Sequence, residues 1–256
     1  MTEFGVSSKK ENYTVALVSA DVVLVPYRRH HVAKYHQWMC DPAMLEATAS
    51  EALSLEEEYA MQRTWRDDPT KITFIVTLGD KQYTSAVTEL PAEQEEVEVQ
   101  GAAGEGIPNT TADEEERRMA GDVNLFLHDR DDPTNAEIEV MVAEPSLRRR
   151  GLAKRALQLL MLYGVRSLGI TRFFAKIGAD NAPSLALFRA LGYTQCAFVE
   201  AFQEHELEVW VSEEWVAQLL KEAGGDEGGG GEGGAYEKIP YTELPFAPAI
   251  ASDPED

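Results

Sequence analysis

One stretch constrains this chain's fold more than any other. Glu137-Ile-Glu-Val-Met-Val142 is followed by Ala143-Glu-Pro-Ser-Leu-Arg148-Arg-Arg-Gly151-Leu152-Ala153, and then by residues that repeat at helical spacing. The first six are apolar and acidic residues in a strand-like run, which Pro145 brings to an end. From Gly151 to about Leu168, side chains including Leu152, Ala156, Leu160 and Tyr163 make one broad apolar helical face. A strand is therefore joined to a long helix by a turn in which Gly151 and Ala153 let main-chain N–H groups approach a ligand. The positive end of the helix dipole points to the same place, where Arg148, Arg149 and Arg150 stand together. That arrangement is an anion cradle suited to a phosphorylated ligand. Neither the Gly-x-x-x-x-Gly-Lys-Ser/Thr pattern of a P-loop nor a Gly-x-Gly-x-x-Gly dinucleotide loop is present. The plainer alternative is a solvated basic cluster at a helix start.

The other elements follow from periodicity. Asp21 to Pro26 reads as a buried strand, and His31 to Met39 as a helix. Ser54 to Trp65 reads as a second helix, opened by the capping box Ser54-x-x-Glu57. Ile72 to Leu78, Asp122 to Leu127, Glu137 to Val142 and Arg172 to Ile177 read as strands, with His128 to Asn135 as a turn-rich hairpin loop. Pro183 to Leu191 reads as a helix, Tyr193 to Phe202 with Glu206 to Val211 as a hairpin, and Glu213 to Lys221 as a last amphipathic helix. The expectation is one α+β domain with a central mixed sheet flanked by helices.

The formal charge of −22 is unevenly distributed. Residues 89–118 hold ten acids and two arginines, and residues 222–256 hold nine acids, one lysine and a run of glycines. Each segment nets −8, and together they leave only −6 for the rest. They read as a disordered insertion and a disordered tail. The domain is thus expected at residues 21–222, after an extension at 1–20 and before a tail at 223–256. The excess of carboxylate argues against a nucleic-acid partner. Cys40 and Cys196 are too few for a disulfide framework, and no apolar stretch reaches membrane-spanning length. A cytoplasmic protein with no membrane association is expected.

The Arg148-x-x-Gly151-x-Ala153 turn, set between a strand and a helix, resembles the acetyl-CoA loop of the GCN5-related N-acetyltransferase (GNAT) superfamily. The segment Asn181-Ala-Pro-Ser184-Leu-Ala-Leu187-Phe188-Arg-Ala-Leu191-Gly192-Tyr193 is similar to the superfamily's second cofactor element. The resemblance runs from about Val22 to Val211. More narrowly, Val25-Pro-Tyr27, Thr48-Ala-Ser-Glu51, Gly121-Asp-Val-Asn-Leu-Phe-Leu127 and Glu137-Ile-Glu-Val-Met141 resemble the eukaryotic N-acetyltransferase 9 family, associated with acetylating the N termini of α- and β-tubulin.

The resemblance implies a GNAT fold and acetyl-CoA as cosubstrate, with a protein N-terminal peptide, tubulin among the candidates, as acceptor partner. The N–H groups of Arg149, Arg150, Gly151, Leu152 and Ala153 would hold the pyrophosphate, with charge from Arg148 and Arg150. The pantetheine arm would lie along Met141, Val142 and Ala143, and a main-chain N–H near Val142 would polarise the acetyl carbonyl. Asn181 would meet the arm and Ser184 the phosphate end. Amine attack needs a neutral nitrogen, so a base is required. By the same resemblance Glu137 is the best candidate. Glu139, two residues on and on the same strand face, would share the role or raise the pKa by repulsion. Both could instead be structural carboxylates. Phe188 departs from the pattern, because many members carry there a tyrosine thought to protonate the leaving thiolate. A thiolate leaves unassisted near its pKa of about 8.5, so activity survives this departure while the acid stays unassigned.

The five histidines do not show metal-ligand spacing, and no metal is expected. Neither cysteine has an adjacent base in sequence, which favours direct transfer in a ternary complex over an acetyl-cysteine route. Tyr27, Tyr35, Trp38 and Tyr59 either fill core or line a peptide groove. Three functions remain open at this level: a protein N-terminal acetyltransferase, a small-amine acetyltransferase of the polyamine or aminoglycoside type, and a CoA-binding adaptor with weak catalysis.

Overall fold

A computed structural model describes residues 12–81, 111–127, 132–223 and 237–240. Strands β1 (Val15–Val18), β2 (Val22–Pro26), β3 (Lys71–Leu78), β4 (Met119–Phe126), β5 (Asn135–Val142), β6 (Arg172–Gly178), β7 (Thr194–Val199), β8 (Glu204–Trp210) and β9 (Glu237–Pro240) form one sheet. Its order is β7-β8-β6-β5-β4-β3-β2-β1-β9. Neighbours are antiparallel except β5 and β6, which run parallel. That parallel step is crossed by helix α5 (Leu152–Leu168), as a parallel connection requires.

The period-two alternation gives the sheet two unlike faces. One face carries Phe74, Val123, Leu125, Ile138, Phe173 and Leu207, packed with α5 and with α7 (Glu213–Glu222) into a continuous core. From Ala156 to Gly164 every residue of α5 is buried, so this helix is enclosed rather than amphipathic. Gly164 lets it approach closely, since a Cβ there would stand 2.9 Å from the Phe173 ring. The helix ends at Gly169, whose φ of 70° makes a left-handed cap.

The other face meets α1 (Val32–Met39), α2 (Pro42–Ala47) and α3 (Leu55–Asp67) through Tyr27, Val32, Tyr35, Trp38, Met39 and Met44. The capping box forms as expected: Ser54 N–H donates to Glu57 Oε2 at 2.8 Å, and Glu57 N–H to Ser54 Oγ at 3.3 Å. Helix α2 is an addition to the expected pair. Asp41 caps it by accepting from Ala43 N–H at 2.9 Å, and Pro42 opens it.

Three boundary expectations change. Val15–Val18 belongs to the sheet, so part of the anticipated N-terminal extension is structural; residues 1–11 lie outside the described residues. Within the anticipated disordered insertion, Thr111–Arg118 forms helix α4 with Glu115 fully buried, while 89–110 lie outside the described residues. Within the anticipated tail, Glu237–Pro240 pairs antiparallel with Val15–Val18, while 224–236 and 241–256 lie outside, as do 128–131 of the hairpin loop. No helix among the described residues is long and apolar enough to cross a membrane.

Candidate active site between two splayed strands

Strands β5 and β6 pair only from Asn135↔Arg172 to Glu137↔Phe174, and beyond Glu137 they separate. The β4/β5 ladder decides which main-chain groups face the gap. Ala143 N–H donates to Ala120 O at 2.9 Å, so by alternation Met141, Glu139 and Glu137 turn their main-chain groups toward β4. Val142 and Val140 therefore turn theirs toward β6 and the opening.

The turn after β5 is braced by its own arginines. Arg148 Nε donates to Val142 O at 3.0 Å and its Nη2 to Ala143 O at 3.2 Å, while Arg150 Nε donates to Ser146 O at 3.1 Å. These guanidiniums shape the cradle as well as charging it, whereas the sequence reading gave them charge alone. Arg149 has φ 65° and Gly151 φ 82°, both left-handed. A Cβ on Gly151 would meet nothing within 4 Å, so the space over it is open. Arg155 N–H makes the first helical bond, to Gly151 O at 3.0 Å, leaving the N–H groups of Leu152, Ala153 and Lys154 as first-turn donors. Across the gap, helix α6 (Ala182–Ala190) is capped by Asn181, whose Oδ1 accepts from Ser184 N–H at 3.1 Å.

A cleft of about 660 Å³ occupies the splay. Glu137, Glu139, Met141, Asn181, Ser184 and Phe188 from the sequence reading line it together. So do residues that reading missed: Lys71, Asp122, Asn124, Trp65, Lys176 and Phe202. The rim is formed on one side by Thr48, Ala49 and Ser50, with Ala49 in the left-handed region at φ 49°, and on the other by Phe202, which is 74% exposed.

The polar groups of the cleft come from one face of neighbouring strands: Thr73, Asn124 and Glu139 lie in one row across β3, β4 and β5, with Lys71 and Glu137 in the row on one side of it and Asp122 in the row on the other. Thr73 Oγ1 donates to Asn124 Oδ1 at 2.6 Å, and Asn124 Nδ2 donates to Asp122 Oδ2 at 2.9 Å. Burial raises the Asp122 carboxyl, opposed by its hydrogen bond from Asn124. The two candidate bases are not equivalent. Glu137 is buried, and its Oε2 accepts from Lys176 Nζ at 2.9 Å; that bond pushes the lysine up. Glu139 opens onto the cleft, and burial by the surrounding walls, followed by the charge of Glu137, pushes it up to about 7.

The aromatic residues divide. Tyr27, Tyr35 and Trp38 are buried core and Tyr59 packs against them, yet Tyr35 also reaches the cleft. Phe188 is buried edge-on against Tyr193, whose hydroxyl is turned away to Met161 Sδ at 3.3 Å. Cys40 and Cys196 are exposed free thiols, neither of them lining the cleft.

Away from the cleft, His30, His31 and Glu115 gather their ligand atoms within 4.8 Å of one another. Arg28 N–H donates to His31 Nδ1 at 3.0 Å, so the ring proton sits on Nε2 and is donated to Glu115 Oε1 at 2.5 Å. That tautomer has no lone pair for a cation. The cluster clasps α4 to the segment after β2.

A model of the acetyltransferase (GNAT) domain matches residues 21–194. An N-acetyltransferase 9-like protein from Nematostella vectensis is 46% identical over 199 residues, covering 78% of this chain and 87% of its own length. The chain belongs to the N-acetyltransferase 9 family. Relatives from Mus musculus and Homo sapiens named alpha/beta-tubulin-N-acetyltransferase 9 are each 43% identical over 212 residues, which is 82% of this chain and 78% and 90% of theirs. The fold recurs in a spermidine N-acetyltransferase from Vibrio cholerae in complex with CoA and spermine, at TM-score 0.55 and 13% identity over 78% of this chain and 99% of that one. It recurs also in the ribosomal L7/L12 alpha-N-protein acetyltransferase RimL, at TM-score 0.54 and 16% identity over 76% and 92%.

This N-acetyltransferase uses acetyl-CoA as donor. The residues present fit that molecule: a left-handed glycine with open space above it, a free first helical turn and three arginines for its phosphates, and a gap between strands for its arm.

Proposed function

We propose that the protein transfers the acetyl group of acetyl-CoA to the α-amino group of a protein N terminus, with α- and β-tubulin as acceptors, by direct attack in a ternary complex. The names of its relatives supply the acceptor. The observation that carries the chemistry is Glu139, an accessible carboxylate whose proton affinity is raised close to neutrality beside the strand gap.

Glu139 takes the proton of the attacking amine, and a base that titrates near the working pH is the most effective kind. Glu137 does not share that task; tied to Lys176, it fixes one negative charge beside Glu139 and keeps its proton affinity high. Main-chain N–H groups at Arg149 to Ala153 bind the pyrophosphate, with Arg148 and Arg150 adding charge from the braced turn. Val142 N–H orients and polarises the acetyl carbonyl, Met141 to Ala143 guide the arm, and Asn181 contacts the arm and Ser184 the phosphate end while the Asn181 side chain caps α6. With Phe188 lacking a hydroxyl, the thiolate leaves without a side-chain acid. The reading puts the enzyme in the cytoplasm and gives it no nucleic-acid partner.

The acidic lining of Glu46, Asp122, Glu139 and Glu204 favours a cationic acceptor, which keeps a small-amine substrate as the second reading. Incubating the full chain with labelled acetyl-CoA, tubulin N-terminal peptides and a polyamine panel decides between them. Labelled peptides are expected. Labelling of polyamines alone would overturn the assignment, and cofactor binding without turnover would reduce the protein to an adaptor.

A further inference from the structure

Lys71 is the first residue of β3 and lies opposite Phe126 of β4. It is only 8% exposed, and its Nζ stands 3.2 Å from the centroid of the Trp65 ring and 4.4 Å from that of Phe126. Two aromatic faces hold the cation in place, but neither supplies an oxygen acceptor for its three N–H donors. Among the described residues no hydrogen bond or ion pair engages this ammonium, although Asp122, Glu139 and Asp68 attract it from farther off. Asp122 is already occupied by Asn124. The stem is buried, but the ammonium opens onto the acceptor cleft, where solvent or a ligand supplies the acceptor that the protein does not. A ligand carboxylate there gains a charge-assisted hydrogen bond to a cation already held in place.

We propose that Lys71 is a specificity residue of the acceptor site, receiving a carboxylate carried by the second or third residue of the acceptor peptide and turning away polycationic amines. The proposal rests on the peptide-acetylating reading above. The spacing follows from the register. Lys71 is in the row of Phe126 and Glu137, and Glu139 is two residues farther along β5, so the two are two strand spacings apart sideways and two residues apart lengthwise, or roughly 12 Å. In an extended peptide the second and third residues lie roughly 3.5 and 7 Å from the first, so with the amine beside Glu139 a glutamate side chain at either position reaches toward the lysine. In a polyamine the same interval brings another ammonium against the lysine.

The test is steady-state acetylation by the full-length enzyme of N-terminal peptides that differ only in carrying Glu, Gln or Lys at positions two and three, with spermidine alongside. The wild type is expected to show a KM about tenfold lower for the Glu peptide than for the Gln peptide, the effect of one charge-assisted hydrogen bond. Lys71→Met keeps the stem against Trp65 and Phe126 and is expected to erase that preference through KM rather than kcat, and to improve use of spermidine. Lys71→Arg is expected to retain the preference, and acetyl-CoA calorimetry on each variant checks that the fold is intact. Equal KM values for the three peptides in the wild type, or a preference that survives in Lys71→Met, would overturn the role of Lys71 alone. A wild type that labels spermidine and no peptide would overturn the acceptor reading and this proposal with it.

Discussion

Replacing Glu139 by Gln separates a catalytic base from a structural carboxylate, because the two differ in how the rate depends on pH. A base titrating at about 7 is ionised to roughly one tenth at pH 6 and nine tenths at pH 8. The acceptor's α-amino group titrates at about 7.7 to 8.0 and must also lose its proton. Two protons therefore leave on the acidic side, and a plot of log kcat/KM against pH is expected to rise with a slope of about 2 below pH 6.5. In Glu139→Gln only the amine's proton remains, so the slope falls to about 1. The rate at neutral pH is expected to drop by roughly two to four orders of magnitude, the usual contribution of general-base catalysis.

Glu137→Gln supplies the control. It removes the charge that helps raise Glu139 and releases Lys176 to attract it, so the break in the profile is expected to move to lower pH with the slope of 2 retained. Mass-spectrometric initial rates of peptide acetylation from about pH 5.5 to 9, with acetyl-CoA affinity measured alongside, provide the readout. A Gln variant of Glu139 that keeps the slope of 2, or loses less than about threefold in rate, would refute the assignment.

In Gly121→Ala the new Cβ would sit 1.8 Å from Met141 O, so β4 and β5 must separate where the site is built; a loss of about 3 kcal/mol or more in urea unfolding is expected, and a loss under about 1 would contradict the packing. Glu115→Ala strands the buried Nε2–H of His31 and is expected to cost about 1–3 kcal/mol in the same assay. Burial and the charge of His30 hold His31 down to about 4, and burial of Glu115 is outweighed by its histidine bonds, which hold it at about 2. The unfolded chain therefore takes up protons that the folded one refuses, so wild-type stability is expected to fall as pH drops from about 6.5 toward 4, read from urea midpoints at several pH values. Removing residues 224–256 is expected to leave acetyl-CoA binding intact, because β9 is at the opposite side of the sheet from the β5/β6 gap, and to bare the β1 edge, so that self-association rises in sedimentation.

What could be read from the sequence depended on how local the cause was. The cradle at Arg148 to Ala153 and the cap at Asn181 and Ser184 are each set within a few residues, and the structure forms both locally; Asn181 and Ser184 line the cleft with Glu137 and Glu139, whereas Arg148 to Ala153 are not among its lining residues. Helix α4 was hidden because its acids and arginines match a disordered segment in composition; only contact with His31, 84 positions away, reveals that Glu115 is buried. The β1–β9 pairing joins the two ends of the chain, and no periodicity encodes such a partner. The same limit applied at the centre of the site. Alternation put Glu137 and Glu139 on one face and could not rank them, because the residue that distinguishes them, Lys176, reaches Glu137 only through the parallel register of β5 and β6. Lys71, Asp122 and Glu139 likewise become one constellation only when three strands are laid side by side. Each strand showed a polar residue on its inward register. A patch of such residues across adjacent strands, on a face otherwise required to bury apolar side chains, is tolerated because the face there opens into a cleft rather than a core, and that patch is what the proposed acceptor site is built from.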